Sequence, residues 1–274
     1  MNKEILRLAI PNILSNISIP LLSSVDTILM GRLSVAHLGA VGLGSMIFNF
    51  VYWNFGFLRM GTTGMTAQAY GSDNREEMIH TLVRSIVLGL VIAAVLIVFR
   101  KPLYTLSSYA MSVQADQENL VATYFYIRLW AAPATLMLYG LMGWFFGMQN
   151  AVIPLILTIA INVINIVVSY YLVHNLGWEI AGVAWGTVIA QYAGVCSAFI
   201  FFLARYRGMW SSFSQATLWQ WNKIKHFFSI NGNLFIRTVA LTFAFAFFYR
   251  QSSAAGAAVL AICLLYTSPS PRDS

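Results

Sequence analysis

The sequence predicts an all-α polytopic membrane protein, and three observations carry that prediction. Apolar residues fill 59% of the 274 positions and charged residues 9%, against about 25% charged in a soluble globular domain. The apolar residues are gathered into runs about as long as a bilayer is thick, and the basic residues sit in the gaps between them. A soluble fold of this composition, with mean hydropathy +0.71, would expose large apolar patches. The net charge of +7 is spread through the gaps rather than drawn into a stripe. The partner implied is therefore the lipid bilayer and not nucleic acid.

A membrane-spanning helix needs about 20 mainly apolar residues to cross a core of roughly 30 Å. Seven runs qualify, at 7–31, 38–60, 80–99, 119–147, 152–173, 180–203 and 227–250. The first follows a short, mixed-charge N-terminus with no small-residue cleavage site, so it reads as a retained span and not a signal peptide. The second continues through Gly61 to Tyr70 as a more polar helix expected to project into water. Between the sixth and seventh runs, Trp210, Phe213, Leu218, Trp219 and Trp221 lie among polar residues, the pattern of an interfacial connector. An eighth run starts near Ser253 and stops at Leu265. After it, YTSPSPRDS (Tyr266 to Ser274) shifts composition abruptly and reads as sequence foreign to the natural protein.

Orientation follows from the basic residues. With the N-terminus inside, Lys3, Arg7, Arg75, Arg84, Arg205, Arg207, Lys223 and Lys225 are cytoplasmic, against Arg32, Arg100, Lys101 and Arg250 outside. Eight against four favours N-terminus in. Cys196 and Cys263 both lie in apolar runs, so no structural disulfide is expected.

Of nine acidic residues, Asp26 alone falls inside a predicted span. An ionisable group there is expensive unless it faces water or a partner, which makes it a functional candidate. The competing reading is a helix-end acid paired with Arg32. At 100° per residue, Asn12, Ser15, Asn16, Ser23, Asp26 and Thr27 share one face about 120° wide. Lipid penalises such a stripe, so it is expected to line a wet cavity or pack on another polar helix. Thr158, Asn162, Asn165 and Ser169 make a similar stripe in the fifth run, Thr187 and Gln191 in the sixth, and Ser45, Asn49, Tyr52 and Gly56 in the second. Interhelical hydrogen bonding explains any one stripe. Four together, one of them holding the carboxylate, favour a central polar chamber lined by Asn12, Asn16, Ser23, Asn49, Tyr52, Asn162 and Gln191. Pro11, Pro20, Pro133 and Pro154 lie within or at the ends of spans, where each removes a backbone donor and can kink the helix. Pro11 and Pro20 flank the first stripe, as a gate would require.

Enzymatic chemistry finds no support. The chain has no P-loop and no H-E-x-x-H motif, and His37, His80, His174 and His226 lack metal spacing. The fragment Gly42–Leu43–Gly44 lacks the third glycine of a dinucleotide site. No cofactor and no metal is expected beyond a coupling ion.

Several stretches resemble the multidrug and toxic compound extrusion (MATE) family, in its DNA-damage-inducible (DinF-type) branch. They are LRLAIPNILSNIS…LLSSVDTILMGRL (Leu6 to Leu33), FLRMGTTGMTAQAYG (Phe57 to Gly71), IRLWAAPATLMLYGLMGWFFGMQNAVIP (Ile127 to Pro154), VINIVVSYYLV (Val163 to Val173) and GVAWGTVIAQY (Gly182 to Tyr192). The resemblance implies a twelve-helix exporter of two six-helix lobes, exchanging H+ or Na+ for organic compounds in the bacterial plasma membrane. On that pattern residues 1–204 are the N-terminal lobe and 205–226 a cytoplasmic linker. Residues 227–265 begin the C-terminal lobe, with helix 7 and a truncated helix 8, and 266–274 are a non-native tail. The missing part of that lobe would be needed for transport. The family's cation site carries over to Asp26, Asn165 and Thr187. Four residues after the asparagine, where the family often has a second aspartate, this chain has Ser169, a further candidate ligand. A lipid or lipid-linked-oligosaccharide flippase of related fold is the alternative, disfavoured because the spans offer only Arg59, Arg128 and Arg237, all placed near interfaces. A seven-helix receptor is a third reading, disfavoured by the N-in topology.

Overall fold

The protein's structure, a computed structural model, describes residues 34–111, 113–213 and 218–254. No strand occurs among the described residues. Helix α1 (Val35–Asn54) is capped by Ser34, whose hydroxyl accepts from the His37 N–H at 3.2 Å. The chain turns at Phe55 and Gly56, whose N–H groups bond back three residues to Tyr52 and Trp53. It then resumes as α2 (Phe57–Gly71). Helix α3 (Arg75–Val98) starts at Asn74, which accepts from the Glu77 N–H at 3.0 Å, with Glu76 and Glu77 in its first turn. A side-chain cap and two acids both suit the positive end of the helix dipole. Helices α4 (Arg100–Ala110) and α5 (Glu118–Arg128) follow.

One tight turn, Leu129–Ala131, joins α5 to α6 (Ala132–Gly147), whose second residue is Pro133. Proline supplies no N–H to the preceding turn, so the helix tightens there instead of continuing evenly. Helix α7 (Val152–His174) follows Asn150, whose Oδ1 accepts from the Val152 and Ile153 N–H groups, both at 3.2 Å. Helix α8 (Glu179–Tyr206) runs into a turn at Arg207–Ser212, and α9 (Trp221–Ala254) is the last described.

Five helical stretches among the described residues are long and apolar enough to cross a membrane: Ala36–Gly71, Arg75–Val98, Glu118–Gly147, Val152–His174 and Glu179–Ser211. They cover the second to sixth predicted runs. Helix α9 covers the seventh, while the first and the truncated eighth lie outside the described residues. So do Asp26, Pro11, Pro20, Asn12, Asn16 and Ser23.

Among the described residues α6 packs against α2, α3 and α8, and α5 against α1 and α8. Phe48, Tyr124, Phe125 and Leu136 belong to one apolar core, and Leu138, Trp144, Phe145 and Phe202 to a second. Trp144 is fully buried and donates its indole N–H to the Met78 carbonyl at 2.8 Å. One expectation is corrected here. The Gly61–Tyr70 stretch does not simply project into water, because Gly61, Thr62, Met65, Thr66 and Ala69 are buried. Thr62 and Thr66 face a glycine row on α6. A Cβ on Gly143 would come 2.6 Å from the Arg59 carbonyl oxygen, and one on Gly147 would come 2.5 Å from Thr66 Cβ. Small residues drive close helix packing in membranes, where lipid tails are as apolar as leucine. Polarity that looks water-facing is therefore a packing seam.

Candidate functional site

Among the described helices, α7 and α8 share the most extensive contact. On α8, Gly182, Gly186 and Gly194 are the positions where a Cβ would strike α7, against Leu172, Ser169 and Ile161 respectively. That approach brings Asn165 and Thr187 together. Both are buried, 1% and 5% exposed, and Asn165 Nδ2 donates to Thr187 Oγ1 at 3.0 Å. The threonine hydroxyl donates in turn to the Val183 carbonyl at 3.2 Å. Its single proton is thus committed, so it must accept from Asn165, and this fixes the amide with its nitrogen toward α8. Asn165 Oδ1 is left buried without a hydrogen-bond partner among the described residues. Ser169, one turn along the same face, is fully buried against Gly186, and its Oγ is likewise unpartnered. The two unpartnered oxygens lie one turn apart on the same face of α7, and oxygen atoms are the ligands a hard cation prefers.

The other stripe residues divide. Thr158 Oγ1 donates to its own helix at the Pro154 carbonyl, 2.9 Å away. Asn162 and Gln191 are half-buried and Asn49 is exposed, whereas Tyr52 is buried. Ser45 Oγ lies 3.1 Å from Tyr124 Oη, a hydrogen bond that ties α1 to α5. How these groups stand to Asp26 lies outside the described residues.

Two polar features were not read from the sequence. The Arg128 guanidinium bonds the Tyr124 hydroxyl and stands 5.4 Å from the ring centres of Phe48 and Tyr124, a cation–π placement within a spanning helix. Arg84, counted above with the cytoplasmic connections, sits inside α3 and is 4% exposed. Its Nη1 donates to Glu77 Oε1 at 2.7 Å, and its Nε and Nη2 donate to the Leu218 carbonyl at 3.1 and 2.8 Å. The seven-residue spacing of Glu77 and Arg84 puts both on one helix face and could have suggested their pairing. Nothing in the sequence points to Leu218.

The MatE family model matches residues 11–171, well over half of the chain. The chain belongs to the MatE family. It is 33% identical over 264 residues to the DNA damage-inducible protein F of Escherichia coli (strain K12), an alignment covering 95% of this chain and 57% of that protein. To the multidrug and toxin extrusion protein 1 of Homo sapiens it is 29% identical over 229 residues, covering 80% of this chain and 39% of that one. The chain thus spans about half the length of the curated relatives it matches. Among solved structures, that of a MOP superfamily transporter from Pyrococcus furiosus superposes with a TM-score of 0.80 at 20% identity, covering 96% of this chain and 58% of that one. At that identity the likeness speaks to the fold.

Proposed function

We propose that this MatE chain supplies the N-terminal lobe and first C-terminal helix of a cation-coupled antiporter that exports organic compounds. The coupling ion, H+ or Na+, is held by Asp26 together with Asn165, Thr187 and Ser169. The observation that carries this reading is the buried Asn165–Thr187 contact, with the amide oxygen left free beside it. A buried acceptor without a partner costs about 1–3 kcal/mol, and a cation passing through the pocket would offset that cost during each cycle. The reading assigns 1–204 to the lobe, 205–226 to a cytoplasmic connector and 227–265 to the start of the second lobe. It places the protein in a bacterial plasma membrane with the N-terminus inside. Its partners are the bilayer, a small organic substrate and a completing C-terminal lobe. Family membership supports transport over enzymatic chemistry.

The flippase reading has one observation in its favour, Arg128 inside a spanning helix, where a lipid phosphate would find a positive charge. A single arginine seated between Phe48 and Tyr124 is weaker support than a buried ligand pocket.

The test joins this chain to the C-terminal lobe of the E. coli relative and expresses the product in a drug-sensitive strain. Ethidium resistance should appear in the parent and vanish in Asn165→Leu, with membrane insertion intact. Equal resistance in both would remove Asn165 from the mechanism.

A further inference from the structure

The first turns of α9 have two unlike sides. Phe227 and Asn231 are buried against the bundle, 1% and 2% exposed. Trp221, Ile224, Lys225 and Phe228 share another face of the same turns. Trp221 is 74% exposed there and Phe228 54%. With Ser229 these four line a groove of about 480 Å³. Its walls are aromatic and aliphatic except for the lysine and the serine hydroxyl.

The groove sits where the chain passes from polar to apolar sequence, just ahead of the run at 227–250. Trp219 and Trp221 flank it, and an indole with its apolar ring and polar N–H suits the headgroup layer of a bilayer. Their position is fixed from the bundle side. Arg84 gives two hydrogen bonds to the Leu218 carbonyl, at 3.1 and 2.8 Å, immediately before them.

The charges at this end are unevenly spent. Lys223 Nζ pairs with Glu77 Oε2 at 3.1 Å. Lys225, two residues on, has no carboxylate partner among the described residues. The first turn of α9 carries no acid, so the positive end of the helix dipole adds to the lysine instead of being offset. An apolar trough with a positive charge at its head is a poor seat for a neighbouring apolar helix, because covering an unpaired ammonium is expensive. It suits an amphiphile that brings its own negative charge.

We propose that this groove binds one phospholipid with an anionic headgroup, its phosphate at the Lys225 ammonium and part of an acyl chain between Trp221 and Phe228. The site acts in addition to the general attraction of basic loops for an acidic leaflet. It goes beyond the antiporter reading and is tested without measuring transport.

The 274-residue chain is reconstituted in phosphatidylcholine vesicles that carry a small fraction of brominated phosphatidylglycerol or brominated phosphatidylcholine. Bromine quenches a tryptophan that it touches, and the Trp221 signal is the quenching lost in Trp221→Phe. Brominated phosphatidylglycerol should saturate that signal at about one fifth of the mole fraction that brominated phosphatidylcholine needs, the scale of one basic residue beside a lipid charge. Lys225→Gln should remove the preference and Lys225→Arg should keep it. Arg207→Gln, at an exposed position in the connecting turn and outside the groove, should leave it unchanged. Equal quenching by the two lipids in the parent overturns the proposal. So does an equal loss of preference in Lys225→Gln and Arg207→Gln, which would reduce the effect to surface attraction. The same measurement on the chain joined to the relative's C-terminal lobe supplies the last check. Loss of the Trp221 signal there would make that lobe, and not a lipid, the occupant of the groove.

Discussion

Thr187 has one hydroxyl proton and gives it to Val183, and from that single fact the orientation of Asn165 follows. Thr187→Val keeps the shape but leaves the Asn165 amide nitrogen buried without an acceptor. The expected loss is about 1–3 kcal/mol, measured as a lower melting temperature in detergent. Ser169 is the position where sequence reasoning alone would tempt a designer. Restoring the family's acid there, Ser169→Asp, adds charge and bulk where the serine already lies against Gly186 with no exposed surface. An unpaired buried carboxylate is expensive, so we expect reduced yield of folded protein before any gain in sodium dependence, checked by size-exclusion chromatography. The polar stripe on α7 was legible from its spacing; the resemblance named Asn165 and Thr187 as candidates, but their hydrogen bond to each other was not legible. The contact of Ser169 with Gly186 was not, because a helical period says which residues share a face and not which glycine of a neighbour that face meets.

The helices themselves were legible where apolar runs were long, which is why α3, α7 and α8 fall close to their predicted bounds, whereas the single run at 119–147 is split into α5 and α6 by the turn at Leu129–Ala131. Helix α2 was misread for a physical reason. Thr62, Thr66 and their neighbours look hydrophilic, yet in a membrane small and hydroxylated residues mark the sides where backbones meet. The same seam yields a paired prediction. Gly143→Val should destabilise the bundle by about 1–3 kcal/mol, because its Cβ would meet the rigid Arg59 carbonyl. Gly64→Ala, on the same seam's helix α2, meets nothing within 4 Å and should be neutral or stabilising by up to about 1 kcal/mol. Thermal unfolding of both in one detergent separates them; equal melting temperatures would mean that α2 and α6 are not held by close approach. The anchor on α3 has its own signature. Arg84→Met leaves the Leu218 carbonyl without its donors while Glu77 keeps Lys223 at 3.1 Å, a loss of about 1–3 kcal/mol for the buried carbonyl left unpaired. It should appear as faster limited proteolysis between α8 and α9.

At the scale of the whole molecule, alternating access requires two halves moving about a central site, and this chain spans about half of its relatives. Expressed alone, it is predicted to insert in the membrane and confer no ethidium resistance. Resistance from the chain alone would show that it needs no completing lobe. Coupling is the central claim, and Asp26 is where it can be struck without disturbing shape, since an asparagine keeps the hydrogen-bonding outline but neither titrates nor carries a counter-charge. The most direct measurement is ethidium flux in vesicles holding the joined transporter, driven by an imposed proton or sodium gradient, in the parent and in Asp26→Asn. The account predicts gradient-driven flux in the parent that is abolished in the mutant. Flux that persists unchanged in Asp26→Asn, under both gradients, would contradict it.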